Sequence, residues 1–402
     1  MNRVPKLRFK EFSGDWEEKK LEKELKEYYL GSNYKNSENK TSFPLLKMGN
    51  LDRGKINLKK IEYIDECEII FEKDKVKYGD LFFNTRNTPE LVGKVAIWRN
   101  ELPLMYFNSN LMKMTFDNNF FMNYKFNTKN MIEKLKSIAT GTTSVGAIYT
   151  KDLLKLDLLI PNLQEQQKIA DFLSSVDKKI SITEEKLDLF KDYKKGIMQK
   201  IFKQELRFKD SNGNDYPEWE EKILGKIIIK NKEKNKENKY NLVQSISNKF
   251  GFVNQDEYFE DRRVASQDLK NYYVAKNKLF AYNPSRINVG SLAYKEDNNI
   301  SVISPLYVSF YSNKEYLIDN FLFNWLFSSP FIKQMSCSFE GSVRNNLSFE
   351  TLSNFIIELP CLEEQEKIAN FLSSIDKKID NLAAELEDLK EFKKGLLQQM
   401  FV

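Results

Sequence analysis

Two polar stretches carry the residues best suited to recognition chemistry. NTRNTPELVGK contains Asn84, Thr85, Arg86 and Lys94, and NPSRIN contains Asn283, Ser285, Arg286 and Asn288. Two further polar loops contain glycine: GTTSVG, with Thr142, Thr143 and Ser144, and FEGSVRNN, with Arg344 and Asn345. Arginine matches the O6/N7 edge of guanine with two parallel hydrogen bonds. Asparagine does the same for the N6/N7 edge of adenine, and Ser and Thr serve either base. Each of these residues is also ordinary in a loop. Their recurrence at equivalent places in two halves of the chain is what points to DNA contact, with lysine and further arginine available for phosphates.

Catalytic chemistry finds little support. The chain has no histidine, which removes the usual general base, the Ser-His and Cys-His nucleophile pairs and every His-ligated metal site. GTTSVG lacks the Lys-Ser/Thr of a phosphate-binding loop, and no GxGxxG follows a strand. YNPSR at Tyr282 lacks the second proline and the aromatic of an amino-methyltransferase signature, and PEWEEK at Pro217 is too compact for a nuclease carboxylate pair. Cys67, Cys337 and Cys361 are scattered without CxxC spacing, so no zinc site or disulfide framework is expected, only reduced and mostly packed thiols. The sequence therefore predicts no catalytic residues, no metal and no directly bound cofactor.

The 402 residues allow two to four domains, and 41% apolar with 13% aromatic residues fits a globular protein. No uninterrupted apolar run reaches membrane-spanning length and the charged start does not fit a signal peptide, so a cytoplasmic location without membrane contact is expected. The net charge of +5 is unevenly spread. It is +6 over residues 1–160, +1 over 203–360 and −3 over 361–402. A phosphate-facing surface thus belongs on the globular parts. The low-complexity run KNKEKNKENKYN from Lys230 reads as a solvated surface loop.

What must position the polar loops is a chain-long duplication. PNLQEQQKIADFLSSVDKKI from Pro161 returns as PCLEEQEKIANFLSSIDKKI from Pro360, LRFK at Leu7 returns at Leu206, and WEEKKL from Trp16 returns as WEEKIL from Trp219. From Ile169 the seam steps by four and three through Leu173, Val176, Ile180, Thr183 and Leu187, and from Ile368 through Leu372, Ile375, Ile379, Leu382 and Leu386. These are heptad seams, with Pro161 and Pro360 fixing the helix entries. Two near-identical seams predict that the helices pair, and a tandem duplication related by a pseudo-two-fold pairs them antiparallel. KVAIW, KLFAY and SPLYVSF read as strands and NMIEKLKSIA as a helix, so each globular half is of the α+β class.

The order of variable domain, long helix, variable domain, long helix, with P-x-L-x-EQ-x-KIA-x-FL-SS-x-D-KKI twice and FKKGLLQQMF near the end, closely resembles the specificity subunit of type I restriction-modification systems. The resemblance covers the full length. It implies two target-recognition domains, residues 1–160 and 203–360, joined by spacer helices at 161–202 and 361–402. Each domain would read one half of a bipartite double-stranded DNA target. The helices would set the spacer, and their seam residues would also mark the docking region for two methyltransferase subunits. It further implies S-adenosylmethionine on those partners, and ATP and Mg on separate motor-nuclease subunits. A coiled-coil scaffold carrying two peptide- or protein-binding domains is the alternative.

Overall fold

In the computed structural model, residues 3–141, 145–255, 268–339 and 345–402 are described. Thr142, Thr143, Ser144 and Arg344, singled out above, lie outside them. The chain divides into two compact units: residues 1–184 with 384–402, and residues 185–383. The division cuts both long helices, Leu163–Phe202 and Leu362–Gln399, near their middles. Each unit therefore owns one globular domain and one segment of each helix.

In the first unit an antiparallel four-stranded sheet has the order Glu27–Leu30, Leu111–Thr115, Leu81–Asn84, Val95–Ile97. The central LFFN strand is wholly buried, which is why it reads as a continuous apolar run and not as an alternating one. Helices Asn119–Phe126 and Lys129–Ile138 follow, capped by the side chains of Asn118 and Thr128. Strand Glu17–Lys20 pairs with Asp157–Ile160 just ahead of the long helix. A second four-stranded sheet adds Asn36–Ser37, Glu62–Ile64, Pro44–Leu46 and Tyr106–Phe107.

The second unit repeats the main sheet in the same order with Ile228–Lys230, Val308–Ser312, Phe280–Tyr282 and Leu292–Tyr294. The strand pair recurs as Glu220–Ile223 with Ile356–Leu359. The helices recur as Asp319–Trp325 and Ser329–Phe339. The architecture is two mixed α/β domains with antiparallel pairing of the long helices, built as an internal repeat.

The three motif echoes meet at one place in each unit. In the first, the Glu165 carboxylate, fully buried, accepts from Arg8 Nε and Nη2 at 2.8 Å each and from the Trp16 indole at 3.3 Å. In the second, buried Glu364 accepts from Arg207 Nε at 3.4 Å and Nη2 at 3.0 Å and from the Trp219 indole at 3.1 Å. The neighbouring Gln166 and Gln365 amides each donate to the carbonyl of the entry proline, Pro161 or Pro360, at 2.9 Å. The repeated EQ thus clamps each helix start to its own domain. In the first unit, Glu165 also raises the Arg8 guanidinium above its ordinary pKa, chiefly by hydrogen bonding.

The heptad seam is internal. Ile169, Leu173, Val176 and Ile180 are buried in the first unit, as is Leu386, while Leu187, Ile368, Leu372 and Ile375 are buried in the second and Ile379 is half-buried. Helix pairing within each unit is antiparallel, and one ion pair marks it twice. Asp177 Oδ1 meets Lys393 Nζ at 2.6 Å in the first unit, and Asp376 Oδ1 meets Lys194 Nζ at 2.6 Å in the second. Phe401 packs on Trp16 and Phe121, as Phe202 packs on Phe321.

Two expectations change. Cys67 and Cys337 are exposed, and only Cys361 is half-buried; all three are free, but they are not packed as their type suggests. The KNKEKNKENKYN run is not uniformly solvated either. Asn231 is buried and donates to the Val274 carbonyl and the Ser309 hydroxyl, and Asn235 is buried and closes a turn onto Tyr240.

Candidate nucleic-acid interface

Each unit builds its polar loop cluster on the end of the buried central strand. In the first unit Asn84 ends the strand. Its backbone pairs with Lys94 and Gly93, and its side-chain oxygen accepts from the Arg86 amide at 3.2 Å. In the second unit Asn283 follows the equivalent strand, and its side-chain oxygen accepts from the Ser285 amide at 3.1 Å. The same asparagine-braced turn therefore forms twice, because Asn can fold back onto a backbone N–H two residues ahead.

A second segment closes against each turn by the same bond. The Ile148 amide donates to the Thr85 carbonyl at 3.0 Å, and the Leu347 amide donates to the Pro284 carbonyl at 3.0 Å. In the first unit this closure extends into a small sheet in which Gly146–Ala147 pairs with both Thr140–Gly141 and Arg86–Asn87. The glycines of GTTSVG serve that closure. Gly141 has φ +149° and a Cβ there would stand 2.0 Å from the Val145 carbonyl oxygen, while a Cβ on Gly146 would stand 3.2 Å from Pro89 Cα.

The individual side chains divide into brace and surface. Asn84 is fully buried, so the expectation that it meets DNA is replaced by its role in bracing the turn. Thr85 is half-buried and donates its hydroxyl to the Asn110 carbonyl at 3.1 Å. Lys94 is largely covered, with Asp52 at 3.9 Å. Arg86 is exposed, and its side chain has no hydrogen bond or ion pair among the described residues.

In the second unit Asn283 is half-buried in its brace. Arg286 and Asn288 are exposed, also without side-chain partners among the described residues. Ser285 is exposed beside Asn346, 3.5 Å away, and Asn345 is exposed next to it. By the matching bonds Arg86 corresponds to Ser285, and Arg286 lies one residue further along its turn.

One contributor carries no sequence signal. The hairpin of Gln244–Ser247 and Gly251–Asn254 reaches the Arg286 loop, with the Asn248 side-chain Nδ2 donating to the Val289 carbonyl at 2.7 Å. Its tip presents Lys249 and exposed Phe250, with the ammonium 4.9 Å from the ring centre. Together these clusters offer exposed arginine and asparagine, one lysine and an aromatic on braced loops, a composition fitted to groove edges and phosphates. Among the described residues no group of His, Cys, Asp or Glu could hold a metal, and no helix is long and apolar enough to cross a membrane.

Comparison with known proteins agrees with this doubling. A family model for the type I restriction modification DNA specificity domain matches twice, over residues 14–191 and 216–391. The putative type I restriction enzyme MjaX specificity subunit of Methanocaldococcus jannaschii is 26% identical, over 96% of this chain and 93% of that one. The MjaIX specificity subunit of the same organism is 25% identical over 87% and 82%. Among solved structures, the type I restriction-modification S subunit from M. genitalium shares the fold with a TM-score of 0.60, 16% identity and 99% coverage of both chains.

Proposed function

Because the chain belongs to the type I restriction-modification DNA specificity family and carries its domain twice, we infer that each unit's braced loop cluster reads one half of a bipartite double-stranded DNA target. The chain is a specificity subunit with two target-recognition domains, and its role is recognition without catalysis. Family membership also decides against the peptide-binding scaffold. The observation that carries the loop assignment is the doubled turn, with the same asparagine brace and the same closing bond in both units and, on it, exposed Arg86 and Arg286 without side-chain partners among the described residues.

Arg86, Arg286, Asn288, Ser285 and Asn345 face the DNA in this reading. Thr85, Lys94, Asn84 and Asn283 hold the loops that present them, and Thr142, Thr143, Ser144 and Arg344, their neighbours in sequence, are assigned to DNA contact as well. The long helices set the spacer and dock two methyltransferase subunits through their outward faces, since the seam residues are already buried within the chain. S-adenosylmethionine then sits on those partners, and ATP and Mg on motor-nuclease subunits, in the cytoplasm.

The test is to substitute Arg86→Ala and Arg286→Ala singly in the assembled methyltransferase and map the methylated sites. Each should cost about 1–3 kcal/mol and relax recognition in its own half-site only. Loss spread evenly over all sequences, with a shallower salt dependence, would reassign that arginine to a phosphate.

A further inference from the structure

Away from the recognition loops, the second unit contains a cavity of about 340 Å³ between the first long helix and the start of helix Ser329–Phe339. Lys191, Lys194 and Lys195 line one side, and among the described residues no carboxylate lines it. Lys194 is paired with Asp376 and Lys191 stands 3.5 Å from Asp188, but Lys195 is exposed with no ion-pair partner among the described residues.

On the other side Ser328 is 2% exposed, and its hydroxyl has no hydrogen-bond partner among the described residues; the covered Ser329 hydroxyl beside it has none there either. Ser328 already occupies the capping position, since its carbonyl accepts from the Ile332 amide at 3.0 Å. Its counterpart in the first unit behaves differently: the Thr128 hydroxyl accepts from the Met131 amide and donates to the Lys125 carbonyl. Among the described residues the second unit thus leaves two covered hydroxyls unpaired, at a helix N-terminus, opposite three lysines.

Unfilled backbone donors and the positive end of the helix dipole favour an anion there. Lysine supplies point charge for phosphate oxygens. Phe327, 42% exposed at the cavity edge, offers a ring face beside the charged end, and a base stacks on such a face irrespective of its identity.

We propose that this cavity binds a nucleoside phosphate, with the phosphate on Ser328, Ser329 and the lysines and the base against Phe327. The site is separate from the recognition loops, so its test does not depend on the DNA reading. Inorganic phosphate, AMP and adenosine are titrated into the full chain by calorimetry and phosphorus NMR. Phosphate and AMP should bind saturably, AMP more tightly, and adenosine should not. Ser328→Ala and Lys195→Glu should each weaken AMP by about tenfold or more, Phe327→Ala should remove only the advantage of AMP over phosphate, and Lys136→Glu on the other unit should change nothing. Absence of phosphate and AMP binding, or binding untouched by Ser328→Ala and Lys195→Glu, would mean that the cavity holds only water. Equal weakening by Lys136→Glu would reduce the effect to general attraction by a basic surface.

Discussion

Glu165→Ala removes a carboxylate that is fully buried and accepts three hydrogen bonds, two of them from a guanidinium. It strands Arg8, whose side chain is only 12% exposed, with the Gly14 and Ser13 carbonyls as its remaining hydrogen-bond partners among the described residues and the charge of Asp15 nearby. Breaking a buried ion pair by deleting one partner costs about 3–5 kcal/mol, largely because the other charge stays buried and unpaired. Two remaining carbonyls and partial exposure place this site near the lower end, at about 3–4 kcal/mol.

Glu364→Ala should cost less, about 2–3 kcal/mol. Its bonds to Arg207 are longer, at 3.4 and 3.0 Å, and Arg207 keeps the Glu218 carboxylate at 3.2 Å as well as the Tyr216 and Pro217 carbonyls. Urea denaturation gives the totals, and native-state hydrogen exchange locates the loss, which should fall in the unit carrying the substitution. Arg8→Met combined with Glu165→Met should recover part of the stability, since no charge is then stranded. If the double substitution is no better than Glu165→Ala, or if each single change costs under about 1 kcal/mol, the clamp does not hold the helix to its domain.

Two further outcomes follow from the same geometry. Burial and the like charge of Lys134 lower the Lys125 pKa to about 7, so between about 7 and about 10.4 the unfolded chain binds more protons; stability should rise with pH there by up to about 1.4 kcal/mol per unit, and Lys125→Met should flatten that slope in urea titrations from about pH 6 to about pH 9. An equal slope in both proteins would show that Lys125 is charged when folded. Equal insertions of four residues, between Thr183 and Leu187 and between Leu382 and Leu386, add about one turn, roughly 6 Å, to each helix while leaving the ion pairs Asp177–Lys393 and Lys194–Asp376 intact; the mapped methylation motif should gain one or two base pairs of spacer at about 3.4 Å each, and an unchanged spacer in an active complex would remove the helices as the ruler.

The helices and the duplication were legible because both are patterns along the chain. A 4-3 apolar step is a local signal, and it leads directly to residues such as Leu173 and Leu372 that are fully buried. LRFK, WEEK and EQ were legible as echoes, but their meeting was not. Arg8, Trp16 and Glu165 come together across about 150 residues of sequence, and no periodicity encodes such a contact. The division of each helix between two units was equally silent, since the seam runs through the cut without interruption. Asn84 misled for a chemical reason: the amide that suits adenine also suits a backbone N–H two residues on, and the residue types alone do not separate the two uses. The hairpin that carries Lys249 and Phe250 reaches the site through a bond from Asn248 to a backbone carbonyl, for which any residue could supply the acceptor.

The two braced turns show how one scaffold can hold unlike readers. The bonds that fix each turn run from a backbone amide to an asparagine side-chain oxygen, and from a backbone amide to a backbone carbonyl. Neither uses the side chain at the turn's tip, so the tip can be arginine in one unit and serine in the other, Arg86 against Ser285, while the loop keeps its place. The same holds one position earlier, where Thr85 and Pro284 each offer only a carbonyl to the closing segment. Substitution at the tip therefore exchanges what the loop can touch without removing a bond that shapes it. The clamp at the helix start works in the opposite way, through side chains whose loss strands a buried charge. Geometry is thus held by residues that tolerate little change, and contact chemistry by residues the fold does not need.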